Sequence, residues 1–299
     1  MKFYLTFYGI CISVCSFSNI FPAINDSVKT DSSSFKSRQA KFKIELDYAS
    51  NNSFKGRKDS SNTPVISPLF KYTTKQRFYI QTSFVHSPNI SKTFDEIDLG
   101  AGKKFQFTDN FDGSLSYTHY FTGTKTSRIK STIASDVSSY LGYDWNWLYS
   151  QFYFDWSRGS TKQKSNKTTV SKATNDYSFT LANSHDFSFD NVFTNGDEIT
   201  VTPEADILYG TQNFMTTYKG KGNKTNKTYQ DKASKFELTG YSFFLYATYE
   251  LKNFTIEFSP YYSIPKNLPL GEPNKPYFVM ATSIYYTFIK KNNFLVNKL

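Results

Sequence analysis

The chain has 299 residues, with 35 Lys and Arg against 25 Asp and Glu for a formal net charge of +10, two cysteines, 30 Phe and 23 Tyr. That aromatic content excludes a disordered chain, and beyond the N-terminal region no apolar run approaches the roughly 20 residues of a membrane helix. Both cysteines, Cys11 and Cys15, lie at the N-terminus, which excludes a disulfide framework or a cysteine metal site in the rest of the chain.

Residues 1–18 have the form of a secretory signal peptide: a basic start at Lys2, an uncharged apolar core, and small residues in Ser16-Phe17-Ser18. Ala23 offers a second, later cut. Ile10 and Val14 precede the two cysteines where lipidation would need a small residue, so a lipoprotein is not expected. Residues 19–40 read as a polar periplasmic lead-in.

At residue 41 a different pattern begins. Phe42, Ile44, Leu46 and Tyr48 alternate with Lys41, Lys43, Glu45 and Asp47, the two-residue period of a half-buried β-strand. Twelve segments repeat it, at about 41–50, 64–74, 77–87, 94–107, 111–123, 131–146, 147–157, 174–189, 197–213, 235–251, 254–264 and 275–289. Gly and Pro inside 94–107 and 197–213 predict breaks there, which keeps ten or fourteen strands as alternatives. The clearest apolar faces are Phe78/Ile80/Phe84, Leu115/Tyr117/Phe121, Phe152/Phe154/Trp156, Tyr177/Phe179/Leu181, Ile199/Val201/Ala205/Ile207 and Phe254/Ile256/Phe258.

The connections alternate in length. Those after even-numbered strands are tight, as at Lys75-Gln76, Thr108-Asp109-Asn110, Asn146 and Lys252-Asn253, with Asp190–Gly196 somewhat longer. Those after odd-numbered strands are long, among them 51–63, 157–173 and 214–234. Tight periplasmic turns and extended outer loops produce this phase in a membrane barrel, and a soluble sandwich has no reason to keep it. The phase puts both chain ends in the periplasm. Aromatic residues beside the turns, Trp145 and Trp147 at one and Phe189 and Phe193 at another, fit an interfacial girdle.

With this leader, alternation and loop phase, the chain resembles the outer-membrane β-barrels of Gram-negative bacteria. The resemblance extends to the last strand, Tyr277–Phe288, whose Met280, Ile284, Tyr286 and Phe288 share one face as in a closing strand. It implies an all-β fold, a closed antiparallel up-and-down transmembrane barrel over 41–289, with membrane lipid, lipopolysaccharide and the barrel-assembly machinery as partners. The chain departs from many such barrels by continuing past the aromatic into a tail, 290–299, read as periplasmic.

Chemistry is sparse. His86, His119 and His185 have no metal-ligand spacing. Ser184 and His185 supply nucleophile and base, but strand neighbours point to opposite faces, so no catalytic residue, metal or cofactor is expected and the chain is not read as an enzyme. With aromatic faces outward, Lys41, Lys43, Glu45, Asp47, Asp98, Lys104, Asp136, Asp144, Asp155, Glu204, Asp206, Glu237, Glu250 and Glu257 face the lumen, where carboxylates outnumber lysines. Glu45, Asp47, Asp136, Asp155, Glu204 and Asp206 are the candidate selectivity residues of a water-filled, cation-preferring pore; a lumen closed by paired charges is the competing arrangement. The loops are basic, with Arg158, Lys162, Lys164, Lys167 and Lys172 in one and Lys219, Lys221, Lys224 and Lys227 in another. They suit anionic lipopolysaccharide or simple solvation; a leader and membrane faces argue against nucleic acid. The expected function is passage of small hydrophilic solutes whose identity the sequence does not specify. The alternative is a non-conducting surface or structural barrel whose loops bind lipopolysaccharide or partner proteins.

Overall fold

The computed structural model describes residues 39–54, 56–58, 63–88, 94–122, 133–165, 168–213, 234–268 and 275–289, with backbone alone for 161–172. The signal peptide, the lead-in up to residue 38 and the tail at 290–299 lie outside the described residues.

The described residues form strands in chain order. They are β1 (Lys41–Ala49), β2 (Ser53–Phe54), β3 (Arg57–Lys58), β4 (Val65–Thr73), β5 (Phe78–Val85), β6 (Glu96–Gln106), β7 (Phe111–Thr122) and β8 (Ile133–Asp144). There follow β9 (Tyr149–Ser165), β10 (Thr168–Ser184), β11 (Phe187–Asp190), β12 (Asp197–Gly210), β13 (Glu237–Leu251), β14 (Phe254–Phe258), β15 (Tyr261–Pro265), β16 (Tyr277–Val279) and β17 (Ala281–Ile289). The staves they build pair antiparallel with their neighbours in chain order, and β17 returns to β1 in unbroken register from Lys41↔Ile289 to Ala49↔Ala281. β10 with β11, β14 with β15, and β16 with β17 each make one stave, so the ring is a closed barrel of twelve. β2 and β3 form a separate small hairpin.

The interruptions within staves have a common cause. Pro203 has no N–H to offer the neighbouring stave, and the ladder lapses opposite it at His185 and Asp186, between Ser184↔Glu204 and Phe187↔Val201. Pro260 divides β14 from β15 in the same way, opposite Leu245 on β13, where the ladder lapses between Ala247↔Phe258 and Phe244↔Tyr261. Pro68 does so between β4 and β5, leaving an isolated bridge at Ile66↔His86. The strands β6 and β12, by contrast, run through their Gly and Pro residues unbroken, and the expected breaks there do not occur.

Both ends of the barrel lie on one rim, which also carries the tight turns. These turns use left-handed residues: Arg77, Asn146, Asn191, Gly196 and Lys252 have φ of 65°, 70°, 55°, 84° and 58°. The opposite rim carries the long connections, with one correction. Residues 157–173 are not a loop, because β9 and β10 stay paired from Tyr149↔Ser184 to Ser165↔Thr168, a hairpin that outruns neighbouring staves.

The pleat sorts side chains as in a bilayer-spanning barrel. On β1, Ile44 and Leu46 are 39% and 51% exposed, whereas Lys43, Glu45 and Asp47 are 5% exposed or less. Met280, Ile284, Tyr286 and Phe288 share the outer face of the last stave. Rings gather near the turn rim: Tyr143 with Trp145, Trp147 with His185, His185 with Phe187, Phe107 with Phe111, and Phe193 with Tyr249 have centroids 4.5–5.8 Å apart. A second group, Phe84 with Phe94 and His119 with Phe121, lies toward the loop rim. Such belts suit the membrane interfaces. Leu46→Arg, in mid-stave, should cost about 2–4 kcal/mol in lipid, against about 0.5 kcal/mol or less at a surface bathed in water. Equilibrium unfolding from lipid vesicles measures the difference, and a loss below 1 kcal/mol would contradict a lipid-facing Leu46.

Candidate functional site

The site is the inner wall. Because partners in register share a face, Glu45, Asp47, Asp155, Glu204 and Asp206 all point inward and are buried, and Asp136 points inward half-buried between Thr118 and Ser157. Of the wider inward set, Lys43, Asp98 and Glu257 are buried as well, while Lys41 is exposed at the rim and Lys104, Asp144, Glu237 and Glu250 are half-buried.

The carboxylates are held by hydroxyls more than by cations. Ser83 donates to Asp98 at 3.0 Å, Ser138 to Asp136 at 2.7 Å, Ser178 to Asp155 at 2.9 Å and Tyr246 to Glu204 at 3.2 Å. Lys43 pairs with Glu45 at 3.0 Å. The inward lysines of β1 and β4 also lie over rings, Lys43 4.1 Å from the Tyr285 centroid and Lys71 4.3 Å from that of Tyr79. Glu96, Asp98, Asp136 and Asp155 act electrostatically on Tyr120, and Glu204, Asp206 and Glu257 on Tyr246; among the described residues the buried lysines are Lys43 and Lys71. Asp206 Oδ1 and Glu257 Oε2 have no protein partner among the described residues.

Sequence reasoning missed several wall residues. Glu96, Asp112 and Asp176 are buried acids, each in phase with the polar face of its own strand. Tyr149, Tyr153, Tyr246, Tyr261 and Tyr285 also face inward and are buried; their phase with Gln151, Asp155, Thr248, Ser263 and Ser283 was the available signal. Two inward glycines make room for such rings: Tyr79 packs where a Cβ on Gly102 would lie, and Tyr149 and Asp112 where one on Gly142 would lie. Gly142→Ala should then cost about 1–3 kcal/mol by overpacking, read by urea unfolding in micelles; undiminished stability would show that the ring yields freely.

Toward the loop rim the lumen turns apolar. Ala49, Val65, Val85, Phe244, Tyr246, Tyr261, Val279 and Ala281 form one buried cluster, with Phe244 stacked on Tyr246 at 5.8 Å and on Tyr261 at 5.0 Å. A groove of about 790 Å³ between Tyr72, Phe78, Ile80, Ala101, Leu115 and Tyr117 lies on the outer wall, among residues that face lipid.

The histidines lie apart from the lumen chemistry. His185 stacks on Trp147 and donates from Nδ1–H to the Trp147 carbonyl oxygen, in the outer belt, whereas Ser184 is buried. The two neighbours do point to opposite faces. Of the basic patch, Arg158 is exposed on the outer face of β9, beyond Trp156. Lys162, Lys164 and Lys172 lie on β9 and β10 with side chains outside the described residues, and Lys167, Lys219, Lys221, Lys224 and Lys227 lie outside them altogether.

No family model matches the sequence, and no curated protein does. Among solved structures the chain is similar to KdgM porin, with a TM-score of 0.47 at 8% identity over 82% of this chain and 99% of that one. NanC porin gives 0.43 at 9% over 84% and 100%. An outer-membrane channel from Pseudomonas putida F1 gives 0.42 at 11% over 84% and 96%. These are likenesses of architecture, and residue roles do not transfer across them.

Proposed function

We propose that the barrel is a Gram-negative outer-membrane channel that passes small hydrophilic solutes with a preference for cations, its turn rim and both chain ends facing the periplasm. One observation carries the reading: a carboxylate-rich inner wall inside an apolar outer one. Rings of acid along a lumen favour cations. Asp98, Asp136, Asp155 and Glu204 each have a neutral hydroxyl partner, which leaves their charge in place. Tyrosine rings beside carboxylates also suit hydroxyl-rich solutes.

In planar bilayers under a KCl gradient, the reversal potential should shift toward that of K⁺. Asp155→Asn and Glu204→Gln should each lower the cation preference about twofold, the effect of one charge at roughly 8 Å through water. A reversal potential unmoved by either substitution removes these side chains from the path. For orientation, a cysteine placed at Asp109 should escape an impermeant maleimide on intact cells; ready labelling there would invert the barrel.

A second reading is favoured by the buried residues across the loop-side mouth: a non-conducting barrel whose basic loops bind lipopolysaccharide. Neutralising Arg158 with the lysines of 158–172 and 219–232 should then weaken lipopolysaccharide binding, and unchanged binding would count against it.

A further inference from the structure

The connection leaving β1 turns into the mouth of the barrel. Ser53 pairs with Lys58 and Phe54 with Arg57 in the β2–β3 hairpin, and Gly56 supplies the turn at φ 76°, a conformation open to glycine without strain. Asn51, Asn52, Ser53 and Arg57 are all buried. The contacts trace a path across the opening. The Ser53 hydroxyl bonds that of Tyr261, two staves from β1 in the ring order. A Cβ on Gly56 would lie 3.6 Å from the Thr239 carbonyl and 3.9 Å from Leu208 Cδ2, on β13 and β12. Arg57 then comes under the fields of Asp176 and Tyr277. Leu208 stands on β12, four staves from β1 in a ring of twelve, so the hairpin reaches well across the opening.

Such a hairpin cannot hold itself there. Strands of two residues have no independent stability, so its seat depends on what it touches. Arg57 is a buried cation whose charge needs a partner, and Asp176 is the carboxylate acting on it. Asp176 is itself fixed: it accepts from the Thr211 hydroxyl at 2.6 Å and the Asn213 amide at 2.7 Å. The field of this fixed acid therefore acts on the buried guanidinium at the entrance of an acid-lined lumen.

We propose that the β2–β3 hairpin is a displaceable plug, seated across the loop-side mouth by the Ser53–Tyr261 hydrogen bond and by the buried Arg57 in the field of Asp176, and that its seating sets how often the lumen is open. This inference rests on the channel reading above. It differs from a fixed constriction, because strands of two residues keep no conformation of their own once the seat is loosened.

Single-channel recording in planar bilayers tests it with four proteins: wild type, Arg57→Gln, Asp176→Asn, and a variant with a short Gly-Ser linker in place of residues 52–58. Folding of each is checked by its heat-modifiable gel shift. The wild type should be mostly closed, both point variants should raise open probability tenfold or more, and the hairpin-less variant should stay open. Equal open probability in all four overturns the plug while leaving the channel standing. A folded hairpin-less barrel that is electrically silent overturns the channel and the plug together. Amide hydrogen exchange gives an independent readout: residues 53–58 should exchange at least tenfold faster in Arg57→Gln, and unchanged protection there overturns this seating.

Discussion

Everything in this molecule follows from the need to pair every backbone N–H and C=O where no water can do so. Inside hydrocarbon an unpaired amide costs several kcal/mol, and an open sheet would present a full row of them. The pairing of β1 with β17 removes that row, joining the first and last staves over nine consecutive residue pairs. The few lapses in the ladder fall opposite prolines, and even there the carbonyl of Pro203 still accepts from His185 and that of Pro260 from Leu245. Proline removes a donor but leaves an acceptor, so half of each bond survives.

Closure then divides the side chains. Once the sheet is a cylinder, the two faces of the pleat meet different media, and the sequence alternates to match. The inner face poses the harder problem, since carboxylates and tyrosines must be accommodated in a narrow space. Serine and threonine hydroxyls satisfy many acids, and glycines at Gly102 and Gly142 admit the rings of Tyr79 and Tyr149. The wall is thus rich in acids, and that property links the fold to the proposed conduction.

The staves were legible in the sequence because bilayer and lumen impose opposite chemistry on neighbouring residues. Turns such as Lys252-Asn253 and Asn146 were legible because they need residues that tolerate positive φ. The extension of β9 and β10 was not, since beyond Trp156 both faces meet water and the hydrophobic period disappears while the backbone goes on pairing. Lumen tyrosines such as Tyr153 were read past because an aromatic ring suggests lipid, although its phase with Gln151 and Asp155 placed it inside. The inward orientation of the six candidate residues was read from phase alone. Arg57 carried no local signal, being placed in the mouth only by a hairpin that crosses between distant staves.

The central claim is that greasy residues contact lipid while their immediate neighbours face inward. Single nitroxide labels at successive positions from Phe152 to Ser157, in barrels reconstituted in vesicles, test it most directly through collision with oxygen, which partitions into lipid. Labels at positions 152, 154 and 156 should collide freely with oxygen, and those at 153, 155 and 157 should be shielded from it. Uniform accessibility along the stretch, or alternation in the opposite phase, would contradict the account.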